Sequence, residues 1–329
     1  MSLETKEPMT VESLDRLCLM PIQRQDLFDN YKKQIAHFWT YDEINHADDY
    51  ADWCKMNEDE QNYIAGILAF FANSDNAVME NIEKRFKREI TWPEAQMALA
   101  TQSFFETIHV VSYNNMISAV IKDQDKRMKL FQAVKNDAIV AKKIDWIRKW
   151  AGDDNIPLAQ CFVAQCISEG VGFGASFASM FWLRKNQRCP GICYGNEKIV
   201  DDESLHVKLF ALLKAHTTTP ISVETVYKMC QELVDIEHEF VDSRLPYNLK
   251  GMNKVLMKQH VCHTADIILK TLNVAPLYNC GPVFDWMEGV GIVGKSNFFE
   301  KSVGEYAKTS KEEQINTETF QNLGDAIDF

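Results

Sequence analysis

The sequence has no run rich in lysine and arginine; 35 basic residues face 47 acidic ones, for a net charge of −12. A surface built for nucleic acid is therefore a poor reading. None of the nine cysteines forms a CxxC pair, and their number is odd. Cys189 and Cys193 flank Pro190-Gly191, where a zinc half-site or a disulfide would fit, but no second half accompanies them. Reduced thiols are expected. The N-terminal MSLETKEPMTVESLDR lacks the apolar stretch of a secretory signal, so a cytoplasmic location is expected. Alternating strand-like runs bounded by turns are hard to find. Charge is also scarce between Asp154 and Arg184, where 29 residues carry one charged side chain, Glu169. Asn155, Gln160, Gln165, several serines and three glycines interrupt that stretch. With no second span beside it, it reads as a buried core helix, not a membrane crossing.

What is present is helical periodicity. The spacing predicts helices over about 58–86, 93–121, 126–151, 157–186, 197–214, 221–243 and 251–273. Proline at 93 suits a first turn. Several of these helices are apolar on most faces, which places them inside a bundle, and no heptad is sustained. A polar tail, 307–329, follows one helical domain over 1–306. Its composition predicts disorder in isolation.

Glu-x-x-His occurs at Glu106/His109 and at Glu203/His206. On a helix, i and i+3 share a face, so carboxylate and imidazole can converge on one metal ion. The motif alone is weak, since a third pair, Glu43/His46, sits in a polar stretch and reads as a solvated helix end. The first two pairs differ because each follows a solitary acid in an apolar helix. Asp75 precedes Glu106 by 31 residues and Glu169 precedes Glu203 by 34. A buried carboxylate without a partner costs several kcal/mol, so two such acids, each matched to an ExxH, point to a shared charge-compensating centre. Four carboxylates and two imidazoles are the donor set of helical-bundle di-iron and di-manganese sites. Iron or manganese suits that set better than a structural zinc ion does.

Tyr113 lies four residues beyond His109, on the same face. By itself it would be packing; beside an oxygen-activating centre it is an oxidisable side chain. Phe173 and Phe177 follow Glu169 by four and eight residues, and Ile199 precedes Glu203 by four, so all three are expected to form an apolar surround. Glycines 170, 172 and 174 weaken the helix after Glu169. A π-bulge and close helix packing explain them equally well.

The blocks IHFWTYDEI, LAFFANSDNAVMENI, FFETIHVVSY, SEGVGFGASFASMFWLRK, DDESLHVKLF, LKGMNKVLMKQ and GKSNFFEKSVGEY resemble the ribonucleotide reductase small subunit, in its eukaryotic and viral branch. The resemblance spans nearly the whole chain and implies an all-α, ferritin-like bundle that forms a homodimer. It implies Asp75, Glu106 and His109 as ligands at one metal site and Glu169, Glu203 and His206 at the other. The metals would be two iron ions, or manganese, reacting with dioxygen to leave a radical on Tyr113. The same resemblance assigns Trp39 and Tyr306 to radical transfer, and Asp202 to a link between Trp39 and His109. It makes the tail 307–329, ending DAIDF, a docking segment for the large catalytic subunit, with no role for nucleic acid or membrane. The chain departs from the family at Asp201, where arginine is common. Another ferritin-like oxidase, oxygenase or desaturase with the same ligands would not require Trp39, Asp202, Tyr306 and a docking tail together, and an iron-storage or structural bundle would not require Tyr113 in an apolar surround.

Overall fold

The computed structural model describes residues 6–245, 249, 251–288 and 290. Among these residues the regular structure is helical, and one isolated bridge, Leu249 with Met252, belongs to no strand. The principal helices are α1 (Gln25–Ala36), α2 (Glu58–Asn81), α3 (Pro93–Val120), α4 (Ala138–Ala151), α5 (Leu158–Ile167), α6 (Phe173–Lys185), α7 (Pro190–Ala215), α8 (Val223–Arg244) and α9 (Lys254–Thr271). A π-helical turn, Ile82–Phe86, prolongs α2, and another, Ser168–Gly172, joins α5 to α6.

Local chemistry sets the helix starts. Asn57 and Glu60 exchange side-chain-to-backbone bonds ahead of α2, with three acids in the first turn of the helix. Pro93 opens α3, and Ser222 and Asn253 cap α8 and α9. At the start of α7 the buried Asp49 carboxylate accepts from the Gly191 and Ile192 amides at 2.8 and 3.1 Å. An acid at a helix N-terminus satisfies amides that have no partner within the helix.

α2 packs along α3 and α5 along α7, with α1 against both α3 and α7. α8 and α9 pair with each other and close over the π turn at 168–172. The apolar stretch Leu158–Lys185 is long enough to cross a membrane, yet its apolar window is entirely buried inside the bundle.

The structure departs from the sequence expectation in three places. The segment 126–151 is not one helix, because Asp137 caps a fresh start through the Ile139 and Val140 amides. α7 begins at Pro190, seven residues ahead of the expected 197. α1 was not anticipated, because much of its buried face is polar: Asn30 donates to the Leu205 carbonyl at 3.0 Å, and Gln34 donates to Asn30 at 2.7 Å. All nine cysteines are free thiols, Cys189 and Cys193 included.

Candidate metal centre

Four segments meet at the middle of the bundle, and each brings one or two buried polar side chains. α2 contributes Asp75, α3 contributes Glu106 and His109, the π turn contributes Glu169, and α7 contributes Glu203 and His206. One donor atom from each of Glu106, Glu169, Glu203 and His206 falls within 4.8 Å of the others, as do donors of Asp75, Glu106 and His109. The structure therefore brings together all six residues singled out from the sequence. Glu106 belongs to both groups. His206 Nδ1 lies 3.2 Å from Glu106 and 2.9 Å from Glu203, while His109 Nδ1 lies 3.5 and 3.2 Å from the same two carboxylates. Glu106 and Glu203 thus occupy the bridging position between the imidazoles.

The electrostatics of this cluster call for cations. Burial, reinforced by Glu106, drives the Asp75 carboxyl far above its ordinary range, and burial with Glu203 does the same to Glu169. Burial alone would raise Glu203 too, but His206 and His109 hold it below the usual carboxylate range. Burial opposes protonation of His206, yet Glu203 and Glu106 lift it to about 9. Both Asp75 oxygens, Glu106 Oε2, Glu169 Oε2 and His109 Nδ1 have no hydrogen-bond partner. Buried polar atoms are rarely left so. Two divalent cations would balance the four carboxylates and take up these lone pairs, so the residues present fit a dinuclear metal centre. Gln102 and Gln165 donate to Glu169 Oε1 at 3.1 and 3.3 Å, orienting that carboxylate.

Asp202 sits beside the cluster. Its Oδ2 accepts from the Trp39 indole at 2.8 Å and faces His109 Nε2 at 3.0 Å, and the Trp39 and His109 rings stack at 6.1 Å. A carboxylate can only accept from Nε2, which leaves the Nδ1 lone pair of His109 aimed at the cluster. Asp201 is half-buried on the same helix.

Tyr113 is fully buried, and its hydroxyl has no hydrogen-bond partner. Burial and then the Asp75 charge push the phenol well above its ordinary pKa. The ring lies against Phe71, with centroids 4.6 Å apart and planes 10° from parallel. Phe173 and Phe177 pack on Phe71 in turn, at 5.7 and 5.0 Å. Ile199 is buried on α7. Phe71 was missed as a pocket residue, although it precedes Asp75 by four, the same spacing that singled out Ile199. Glu43 closes a cap with Thr40, and His46 faces Asp49 at 2.7 Å, so that third pair stays out of the core. Tyr306 and the tail 307–329 lie outside the described residues.

Helices that carry acid, ExxH, acid, ExxH into one dry cluster define a class: helical-bundle proteins with a carboxylate-rich, metal-binding core. Within that class the match is specific. The family "Ribonucleotide reductase, small chain" covers residues 16–282, and this chain belongs to it. A tobacco (Nicotiana tabacum) ribonucleoside-diphosphate reductase small chain is 39% identical over 316 residues, 96% of each chain. A Vaccinia virus small chain is 39% identical over 92% of this chain and 94% of its own. Among solved structures, the Rnr4 homodimer of Saccharomyces cerevisiae superposes with a TM-score of 0.79 at 30% identity, covering 91% of this chain and 92% of that one. The fold is thus the ferritin-like bundle of this oxidoreductase family.

Proposed function

We propose that this chain is the radical-generating subunit of ribonucleoside-diphosphate reductase. Asp75, Glu106, His109, Glu169, Glu203 and His206 would hold two metal ions; iron and manganese both accept such donors. When bound and reduced, the metal pair supplies electrons to dioxygen and so the oxidising power for removing one electron from Tyr113. The phenol is kept protonated chiefly by burial, so loss of the electron is accompanied by loss of the hydroxyl proton. The aromatic packing around Tyr113 excludes water and reductants from the oxidised ring. Trp39, tied through Asp202 to His109, gives the oxidising equivalent a way out of the core. Tyr306 would pass it across the subunit interface, and the tail 307–329 would dock on the larger subunit, where ribonucleoside diphosphates are reduced. Residues 1–306 would form the working domain, two copies would pair, and the protein would act in the cytoplasm.

The observation that carries this reading is the juxtaposition of the six-residue cluster with a fully buried tyrosine whose hydroxyl is unpartnered. Loading the metal-free protein with Fe(II) under oxygen should give about two ions per chain and an electron paramagnetic resonance signal of a tyrosyl radical. In Tyr113→Phe the signal should vanish while metal binding survives; a signal that persists in that variant overturns the assignment.

A further inference from the structure

Away from the metal cluster, the core holds a second pair of buried charges. Lys143 on α4 and Glu237 on α8 are both sealed from solvent, with Nζ 2.6 Å from Oε1. The ammonium lies 3.3 Å from the centroid of the Phe70 ring and 4.5 Å from that of Phe240. It also donates to the carbonyl of Gly172 at 3.0 Å. A buried ion pair is a poor source of stability, because desolvating two charges offsets their attraction and apolar replacements are often neutral or better. Its worth here must be sought in what the cation holds, and that is the backbone of the π turn.

Gly172 closes the turn Ser168–Gly172, which carries Glu169. With glycines at 170 and 172, and a third at 174 opening α6, this stretch has poor helix propensity, so its register depends on the neighbours packed against it; a Cβ at Gly170 would run into Ile268. A Cβ at Gly174 would come 2.9 Å from Thr264 Cγ2, so the glycine is needed there for the approach of α9 and not for rigidity. A π turn holds one residue more than an α turn. Relaxing it to α would rotate all that follows by about 100° relative to what precedes it. Glu169 lies inside the turn and Phe173 and Phe177 lie just beyond it, so one slip would disturb both a carboxylate of the cluster and the packing on Phe71. A second polar link secures the same segment: Tyr63 shares a 2.5 Å hydrogen bond with Ser179, whose hydroxyl donates to the Ala175 carbonyl at 2.9 Å.

We infer that Lys143, held in place by Glu237, is a positioning residue that locks the π turn and thereby aims Glu169 at one half of the dinuclear centre. This rests on the metal-holding role proposed for Glu169. Lys143→Met alone strands the Glu237 charge in the core and is expected to fold poorly. The informative variant is Lys143→Met/Glu237→Met, which removes both charges at similar volume.

Metal-free wild type and double variant are titrated with Mn(II), following free ion by electron paramagnetic resonance, and hydrogen exchange is measured over 168–176. The double variant should melt within a few degrees of wild type. It should bind one ion normally and the second about 10–100-fold more weakly, the usual effect of losing support behind a ligand. Its amides at 168–176 should exchange faster. A pair that only fills space would leave both affinities and that exchange unchanged, and this result overturns the inference. A wild-type chain that takes up fewer than two ions would overturn the proposed function, and the inference with it.

Discussion

Phe71 lies flat against Tyr113, ring centroids 4.6 Å apart, and Phe173 and Phe177 reach the tyrosine's surroundings by packing on Phe71. The middle ring of this stack therefore covers one face of the Tyr113 ring. Phe71→Ala should destabilise the fold by about 3–5 kcal/mol, the range for emptying a large core site. It should also shorten the lifetime of a Tyr113 radical, since a cavity beside a hydroxyl can admit water. Urea denaturation measures the first effect and the decay of the tyrosyl signal the second. If the fold loses stability but the radical lives as long as in wild type, Phe71 is packing alone.

Asp202 holds two partners on one oxygen, the Trp39 indole and His109 Nε2. Asp202→Ala would leave both without an acceptor in a buried setting, a penalty of roughly 1–3 kcal/mol. His109 would also lose the bond that sets its tautomer, and Mn(II) affinity at the half containing His109 should fall about 10–100-fold. Asp202→Asn keeps an acceptor oxygen and should lie between the two. Equal metal affinity in all three proteins would refute this account of Asp202.

The parts of the site that could be read in the sequence are those in which a charge contradicts its surroundings. Asp75 and Glu169 stand out because they interrupt apolar helices, and i, i+3 spacing then supplies the two histidines. The same helical rule, applied at i−4 from Asp75, would have found Phe71. Asp202 could not be found this way: one residue before Glu203, it points about 100° away around the helix, and its partner Trp39 is distant in the chain. Lys143 and Glu237 were hidden for the opposite reason. They sit in amphipathic helices, where a charge is expected to face water, and only packing reveals that both face inward. α1 escaped notice because it is polar overall and two of its three buried residues are the amides Asn30 and Gln34.

His260 on α9 is buried against Phe284, with ring centroids 5.2 Å apart. Burial, with His263 nearby, depresses its pKa to about 4. The unfolded chain takes up this proton near pH 6.5 and the folded chain does not. The contribution of neutral His260 is therefore complete above pH 6.5 and is lost as pH falls towards 4, by an amount on the order of 3 kcal/mol. Urea melts at pH 7 and pH 4.5 should show a smaller acid-induced loss in His260→Leu than in wild type. Parallel losses in the two proteins would show that His260 does not titrate in this window.

Along α3 the outward positions Ala100, Phe104, Thr107, Val111 and Asn115 carry no charge, in a chain where 25% of residues are charged. Phe38 stacks on Phe104 at 6.2 Å, and the two side chains are 56% and 50% exposed. Ile35 adds to the exposed apolar surface at the end of α1. A paired, exposed aromatic patch on an uncharged helix face is the surface expected to cover itself against a second copy. In a two-fold pairing any substitution appears twice, so Phe104→Glu places two carboxylates in one interface and leaves the buried face of α3, with Glu106 and His109, untouched. The pairing proposed for this chain should weaken by at least tenfold, about 1.4 kcal/mol, as read by analytical ultracentrifugation across a dilution series. Metal uptake per chain should stay the same. An unaltered dissociation constant would move the pairing surface away from α3, whereas loss of metal binding with dissociation would mean that pairing supports the centre itself.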